Sequence, residues 1–123
     1  MTTILVADDD DDFRIMLRSA IGNIYTLVEA ASGYSALEKV MRQRFDLIIV
    51  DLNMPGLNGI ELIENLPRRS SHHQETPVIV ISGFLDTPKF KKALSDLQPA
   101  AVLRKPFQIS ELLAAISKAL PER

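Results

Sequence analysis

The stretch that decides the fold is ILVADD at residues 4–9, four apolar residues followed by two aspartates. Two later runs have the same form: LIIV at 47–50 is followed by Asp51, and VIVI at 78–81 is followed by Ser82. Short, unbroken runs rich in β-branched residues are typical of strands that are buried on both faces of a parallel sheet. The three runs therefore predict three central strands, each ending at a polar residue.

Helical patterns lie between these runs and two weaker strand candidates, 26–30 and 101–104. Apolar residues that recur three or four positions apart predict amphipathic helices. The predicted apolar faces are Phe13, Met16, Leu17, Ala20 and Ile21; Ala36, Leu37, Val40 and Met41; Ile60, Leu62, Ile63 and Leu66; and Ile109, Leu112, Leu113, Ile116 and Leu120. A fifth segment, 86–97, has a weaker pattern and is expected to be the least stable helix. Alternating strands and helices predict a parallel sheet covered on both faces.

Polar residues and prolines predict the helix ends. One of the aspartates at 10–12 is expected to cap the first helix, because a carboxylate accepts hydrogen bonds from the first free backbone amides. Pro67 is expected to end the third helix. The fifth helix is expected to be capped by Ser110 or its neighbour and to stop at Pro121.

Length and composition limit the class of protein. With 123 residues, 46% of them hydrophobic, the chain is expected to form one globular domain over residues 1–123. The absence of cysteine excludes a disulfide framework, an iron–sulfur cluster and a thiol-based zinc site. The formal net charge of -2 gives no indication of direct nucleic-acid binding, and no apolar run approaches the ~18 residues of a membrane span. We expect a cytoplasmic protein, and Met1 close to the first strand favours a natural N-terminus.

The polar residues that end the strands predict a binding site. In open α/β sheets, ligands bind outside the carboxyl ends of the strands. Two carboxylates ~4 Å apart repel by about 1 kcal/mol in water and by about 4 kcal/mol at an effective dielectric of 20, so either one is protonated or a cation lies between them. An all-oxygen site with few protein ligands favours Mg²⁺, which keeps water ligands and binds phosphate. The predicted site comprises Asp8, Asp9, Asp51, Ser82 and Lys105.

Phosphoryl transfer is the chemistry that this combination favours. The Lys105 ammonium and the Ser82 hydroxyl would face a phosphoryl group from the side opposite the metal. Asp51 is anionic at neutral pH and needs no general base to attack phosphorus, and its attack would give an acyl phosphate. Taken singly, Lys105 and Ser82 have simpler interpretations: the lysine could be solvated, and the serine could complete hydrogen bonds at a strand end.

Four motifs follow one another along the whole chain: ILVADD at 4–9, DLNMPG at 51–56 with Gly59, Ser82-Gly83, and KPF at 105–107. Together they resemble the receiver domain of two-component response regulators. The resemblance implies a flavodoxin-like (βα)5 three-layer sandwich with a parallel five-stranded sheet of order 2-1-3-4-5. It also implies a signalling phosphoacceptor with self-catalysed phosphorylation and dephosphorylation, rather than an enzyme in its own right.

The resemblance implies a role for each acidic residue. Asp51 would be the phosphoacceptor. Asp9 and Asp51 would bind Mg²⁺ directly, with the backbone carbonyl of Asn53 as a third protein ligand. Asp8 would act through metal-bound water, and Lys105 would pair with the phosphoryl group.

Ser82 stands at the position whose hydroxyl moves to contact the phosphoryl group in the family, and Gly83 beside it leaves room for that group to enter. The position three before Lys105 is often aromatic in the family and rotates inward on activation, but here it is Val102. An aromatic relay is therefore not implied for this chain.

Phe84 predicts a long-lived phosphorylated state. Some members of the family carry a polar residue two positions after the switch hydroxyl, where it orients the hydrolytic water, whereas Phe84 is apolar. We expect slow loss of the phosphoryl group from Asp51. A half-life of seconds in Mg²⁺, measured by following the phosphorylated protein, would contradict this.

The partners implied by the resemblance are a histidine kinase or a histidine phosphotransfer protein, and a downstream output domain or protein. Output would use the surface of the fourth helix, fifth strand and fifth helix. That surface carries a basic patch that we interpret either as a solvated face or as a docking surface. The patch comprises Lys89, Lys91, Lys92 and Arg104. His72 and His73, in a polar loop, are interpreted as solvated rather than as metal ligands.

Two other functions remain open from the sequence. A phosphatase of the haloacid-dehalogenase type also uses an aspartate nucleophile, Mg²⁺ and a lysine. Its motif would be Asp8-x-Asp10 with Thr or Val two residues further on, where this chain has Asp12, and no acidic pair follows Lys105. An interaction module of the same fold that works without phosphorylation would be marked by lost carboxylates or a lost lysine, and neither is seen.

Overall fold

Strands and helices alternate along the computed structural model, which describes residues 2–54, 56–69, 76–83 and 88–120. The strands are β1 (Thr3–Ala7), β2 (Thr26–Ala30), β3 (Leu47–Asp51), β4 (Val78–Ser82) and β5 (Ala101–Arg104). The helices are α1 (Asp11–Ile21), α2 (Gly33–Arg42), α3 (Gly59–Arg69), α4 (Pro88–Leu97) and α5 (Ile109–Ala119). All five predicted strands are present within one residue of their predicted bounds.

The five strands form one parallel sheet of order β2-β1-β3-β4-β5, which confirms the predicted topology. The two weaker strand candidates, β2 and β5, are the edge strands, which explains why their apolar patterns are less continuous. Ala7 of β1 pairs with Val50 of β3, and Asp51 pairs with Ile81 of β4. The residues that end β1, β3 and β4 therefore lie close together at the carboxyl ends of the central strands.

The core has two halves, one on each face of the sheet. Leu5, Ile48 and Val80 belong to the half that packs against α2, α3 and α4. Ile4 and Ile79 belong to the half that packs against α1 and α5. Successive residues of a strand point to opposite faces, so a strand between two helical layers must be apolar at every position. The three-layer arrangement accounts for the unbroken apolar runs of the sequence.

Polar residues cap α1 and α5 at their N-termini. Asp10 caps α1, and its carboxylate accepts hydrogen bonds from the backbone amides of Asp12 (3.0 Å) and Phe13 (3.2 Å). For α5 the predicted cap at Ser110 or its neighbour is wrong: the helix begins at Ile109, and its N-cap residue is Gln108, two positions before Ser110. The Glu111 carboxylate accepts a hydrogen bond from the backbone amide of Gln108 (3.2 Å), which stabilises the earlier start.

The predicted end of α3 at Pro67 is also wrong, because the helix continues to Arg69. A proline two residues before a helix end removes only one late intrahelical hydrogen bond, which the last turn tolerates better than the interior would. Pro121, the predicted stop of α5, lies outside the described residues. Among the helices of the described ranges, none has the length and apolar character needed to cross a bilayer.

The apolar faces of α1 and α2 are narrower than the sequence predicted. Phe13, Leu17 and Ile21 are the buried residues of α1, whereas Met16 is 44% exposed. On α2, Met41 is likewise exposed, at 51%. A helix that packs on a sheet through one row of residues four apart leaves the next row at the margin of the contact. The prediction that both methionines are core residues is therefore wrong.

Two glycines near the end of β3 and β4 give a matched test of the packing. A Cβ at Gly59 would lie 2.4 Å from the backbone oxygen of Asp51 and 2.7 Å from Cα of Leu52, whereas a Cβ at Gly83 would meet nothing within 4 Å. We expect Gly59→Ala to lower the free energy of unfolding by about 2–3 kcal/mol, because backbone atoms must move. Gly83→Ala is expected to change it by less than about 0.5 kcal/mol. Equal denaturant midpoints for the two variants would contradict this packing.

Candidate functional site

Three aspartates meet at the carboxyl ends of β1 and β3. Asp8 is completely buried and Asp51 nearly so, whereas Asp9 is exposed. One carboxylate oxygen of each lies within 4.8 Å of the others. The predicted clustering of these three side chains is therefore observed, with two of them shielded from solvent and the third at the opening.

Lys105 contacts both buried carboxylates. Its Nζ donates hydrogen bonds to Oδ2 of Asp8 (3.0 Å) and to Oδ2 of Asp51 (2.9 Å). The backbone amide of Lys105 donates to the Ser82 carbonyl (2.9 Å), which continues the pairing between β4 and β5 by one residue. The pairing of β4 with β5 therefore places Lys105 beside the acidic cluster.

An aromatic ring lies beside the lysine. Nζ of Lys105 is 5.5 Å from the centroid of the buried Phe13 ring, within the range of a cation–π interaction. The Phe107 ring packs edge-on against Phe13, with centroids 6.1 Å apart. These rings restrict the space that the lysine side chain can occupy.

The second oxygen of each buried carboxylate is held by the backbone. Oδ1 of Asp8 accepts a hydrogen bond from the amide of Asp10 (2.9 Å), and Oδ1 of Asp51 accepts one from the amide of Asn53 (2.9 Å). Both are turns in which an aspartate binds the amide two residues further on. The strand ends and the sequence that follows them thus fix the orientation of both carboxylates.

The pKa values of Asp8 and Lys105 are both raised, for different physical reasons. Burial raises the pKa of Asp8 above 3.8, and the hydrogen bonds from Asp10 and Lys105 oppose this only in part. Burial lowers the pKa of Lys105, but its hydrogen bonds to Asp51 and Asp8 outweigh that effect and raise the pKa above 10.5.

The raised pKa of Asp8 means that the folded state binds a proton at this carboxyl more tightly than the unfolded chain does. The stability contribution of this group is therefore greatest below pH 3.8 and is lost as pH rises through the folded-state pKa. When it is ionised, the buried Asp8 carboxylate destabilises the fold. A bound cation would reduce that penalty.

The charges and donor atoms of the cluster fit a divalent cation. Three carboxylates and one ammonium give a formal charge of -2, which one Mg²⁺ ion would neutralise. The side-chain atoms that Asp8, Asp9 and Asp51 offer as metal ligands are carboxylate oxygens, the ligand type that Mg²⁺ prefers. The exposed position of Asp9 leaves the cluster open to water on one side. The residues present therefore fit the predicted cofactor.

Ser82 is fully buried next to the cluster, and its hydroxyl oxygen accepts a hydrogen bond from Nδ2 of Asn53 (2.6 Å). Val102, at the position often aromatic in the family, is 40% exposed on β5. The contact between Asn53 and Ser82 was not predicted. Phe84, His72 and His73 lie outside the described residues.

A cleft of about 470 Å³ opens beside Lys105. It lies between the start of α1 and the segment that follows β5, and its lining includes Asp10, Met16 and Phe107. The exposed Met16 belongs to this lining. Lys105 can therefore be reached from solvent through this cleft.

Sequence reasoning also missed Arg14 in the first helix. Its guanidinium donates to the backbone carbonyl of Asp8 and pairs with Glu29 of β2 and Asp11 of α1. No signal in a single sequence marks this contact, because the arginine occupies the polar face of a predicted amphipathic helix. Its position depends on how α1 packs against the ends of β1 and β2.

Comparison with known proteins agrees with the fold. The family model of the response regulator receiver domain matches residues 4–117. The chain therefore belongs to the response regulator receiver domain family.

Among curated relatives, sporulation initiation phosphotransferase F of Bacillus subtilis is 34% identical over 121 residues, which cover 96% of this chain and 93% of that protein. Response regulator ArlR of Staphylococcus aureus is 34% identical over 117 residues. That alignment covers 94% of this chain but 51% of ArlR, so the chain spans about half the length of this relative.

Solved structures resemble the whole chain. The chemotaxis response regulator CheY4 of Vibrio cholerae has a TM-score of 0.85 and 30% identity, covering 98% of this chain and 99% of that one. The response regulator TrrA of Thermotoga maritima, solved in complex with Mg²⁺-BeF, has a TM-score of 0.80 and 26% identity, covering 98% and 100%. The predicted flavodoxin-like fold is confirmed.

Proposed function

We propose that this protein is a cytoplasmic phosphoacceptor that receives a phosphoryl group on Asp51 with the help of Mg²⁺ and changes conformation in response. The observation that carries the proposal is the contact of one ammonium, that of Lys105, with two buried carboxylates at a cluster of three. Membership of the receiver family supports the same function.

The proposed transfer needs little from the protein besides positioning and charge. An oxygen of the Asp51 carboxylate forms the new bond to phosphorus while the bond from phosphorus to the donor imidazole nitrogen breaks, and that nitrogen keeps the electron pair. Lys105, already within 2.9 Å of Asp51, would exchange its carboxylate contact for the charged phosphoryl oxygens. Water later hydrolyses the acyl phosphate.

Mg²⁺ fits into this scheme as the charge-neutralising ion. Asp9, Asp51 and the backbone carbonyl of Asn53 would hold it, with Asp8 acting through a metal-bound water. When bound, it supplies positive charge that stabilises the phosphoryl oxygens during transfer. The raised pKa of Asp8, caused mainly by burial, supports a site that is more stable with a cation present.

Ser82 is proposed as the residue that reports phosphorylation. Its hydroxyl would turn toward the phosphoryl group on Asp51, which requires that the hydrogen bond from Asn53 be given up. Such a change biases an equilibrium between two conformations rather than creating a new one.

Partners are proposed at the level of the family. The phosphoryl donor would be a histidine kinase or a histidine phosphotransfer protein. The output domain or protein would dock on α4, β5 and α5. The exposed lysines of α4 (Lys89, Lys91 and Lys92) make this face basic and suit an acidic partner.

The experiment that tests the proposal is a titration with beryllofluoride and Mg²⁺, monitored by two-dimensional NMR of the backbone amides. We expect large shifts at the ends of β3, β4 and β5, because beryllofluoride mimics a phosphoryl group on a carboxylate. Asp51→Asn is the control and is expected to remove the response. No response in the unaltered protein would favour an interaction module that works without phosphorylation.

The phosphatase alternative is weakened by the environment of Asp10. That carboxylate caps α1 through two backbone amides, so it is engaged at the start of the helix. Sustained release of phosphate from small phosphate esters, in excess of one equivalent of protein, would support the phosphatase instead.

A further inference from the structure

Arg14 connects the acidic cluster to the edge strand β2. Its Nη1 donates to the backbone carbonyl of Asp8 (2.5 Å), and its Nε donates to Oε1 of Glu29 (3.3 Å). Its Nη2 pairs with the Asp11 carboxylate. The side chain is only 13% exposed, so these contacts are partly shielded from water.

The carbonyl that Arg14 binds belongs to the peptide between Asp8 and Asp9. A peptide unit is planar, so holding its carbonyl fixes the direction in which the chain enters Asp9. The orientation of the Asp9 side chain therefore depends in part on this hydrogen bond.

Asp9 differs from the other two aspartates in how it is held. Asp8 and Asp51 each receive hydrogen bonds from Lys105 and from a backbone amide. Within residues 2–54, 56–69, 76–83 and 88–120, no hydrogen bond or ion pair reaches the Asp9 carboxylate. The backbone is therefore the main constraint on this carboxylate in the described part of the protein.

We propose that Arg14 is a positioning residue for metal binding, which holds the Asp8–Asp9 peptide so that the Asp9 carboxylate faces the site. The inference rests on the proposed function, since it assumes that Asp9 is a ligand of Mg²⁺. Arg14 does not touch the ion. Partners that orient metal ligands typically change affinity by about 10–100-fold when they are removed.

Arg18 offers a matched comparison on the same helix. It also binds Glu29, with Nε 2.8 Å and Nη2 2.6 Å from Oε2, but its side chain is 59% exposed and none of its described contacts is with Asp8 or Asp9. Removing either arginine takes away one positive charge and an ion pair with Glu29. Removal of Arg14 also takes away the pair with the exposed Asp11 carboxylate and releases the Asp8 carbonyl.

The test is a titration of the 123-residue chain with MgCl₂, followed by NMR. Arg14→Met is expected to weaken Mg²⁺ binding about tenfold, and Arg18→Met by less than about twofold. Arg14→Lys, which can make one hydrogen bond to the carbonyl but lacks the planar fork, should lie between them. This variant also provides the comparison with Arg18→Met if Arg14→Met does not fold.

A double-mutant cycle separates positioning from a general structural role. In an Asp9→Asn background, the further change Arg14→Met is expected to leave Mg²⁺ affinity within about twofold, because the carboxylate that Arg14 orients is gone. A tenfold effect in both backgrounds would overturn the inference, as would equal affinity for Arg14→Met and the unaltered protein. Failure of the unaltered protein to bind Mg²⁺ would contradict the proposed function instead.

Discussion

Asp51→Asn is expected to abolish labelling of the protein by acetyl phosphate in the presence of Mg²⁺. The amide is a very poor nucleophile, and it also removes one of the negative charges that attract the metal. Asp51 is nearly buried and is already positioned by Lys105 and by the Asn53 amide, so a nearby carboxylate cannot take its place without rearrangement. The measurement is the mass of the intact protein after incubation with acetyl phosphate.

Asp12→Asn is the matched control for this experiment. Asp12 is an exposed aspartate of α1, close in sequence to the cluster but outside it. We expect the Asp12→Asn variant to be labelled by acetyl phosphate at nearly the rate of the unaltered protein. Equal labelling of Asp51→Asn and Asp12→Asn would refute the assignment of Asp51.

Lys105→Met is expected to give the largest loss of stability among the site variants when Mg²⁺ is absent. The substitution leaves the carboxylates of Asp8 and Asp51 buried without their common cation. Removing one partner of a buried ion pair typically costs about 3–5 kcal/mol. Because the lysine side chain is 29% exposed, we expect about 2–3 kcal/mol in the free energy of unfolding, measured in EDTA by chemical denaturation.

Mg²⁺ is expected to restore a large part of this stability, because it supplies positive charge to the same carboxylates. The rise in melting temperature on adding Mg²⁺ should therefore be greater for Lys105→Met than for the unaltered protein. Lys92→Met is the control: its side chain is 81% exposed and lies 3.8 Å from Asp96, so its loss should change stability by less than about 0.5 kcal/mol. Equal destabilisation of the two lysine variants would contradict the role given to Lys105.

The sheet could be predicted from the sequence because burial on two faces leaves a simple pattern. Residues 4–7, 47–50 and 78–81 are apolar at every position, and only central strands of a layered α/β fold require that. The polar residue after each run then had to lie at the carboxyl end of its strand. The shared location of Asp8, Asp51 and Ser82 could be predicted from this pattern alone.

The errors lie where local patterns compete with packing. Met16 and Met41 fit a helical repeat, but the width of a buried face depends on how closely the helix approaches the sheet. Pro67 is a helix breaker by propensity, and α3 accepts it because the helix ends two residues later. The start of α5 was set by Glu111, which binds the amide of Gln108.

The contacts that hold the site together could not be predicted, since they join distant segments through side chains. Asn53 reaches Ser82 and Arg14 reaches the Asp8 carbonyl only once the sheet is assembled. The position of Lys105 was predicted only in outline, from a lysine near the end of an edge strand. Its two hydrogen bonds depend on the register of β4 and β5.

The acyl phosphate is proposed to form on one particular carboxylate, that of Asp51. The most direct measurement is to label the protein with acetyl phosphate and Mg²⁺, reduce the product with borohydride and identify the modified residue by mass spectrometry of its peptides. We predict a single reduced residue at position 51, absent when Mg²⁺ is replaced by EDTA. Modification at any other residue, or an unreduced phosphoryl group on His72 or His73, would contradict the account.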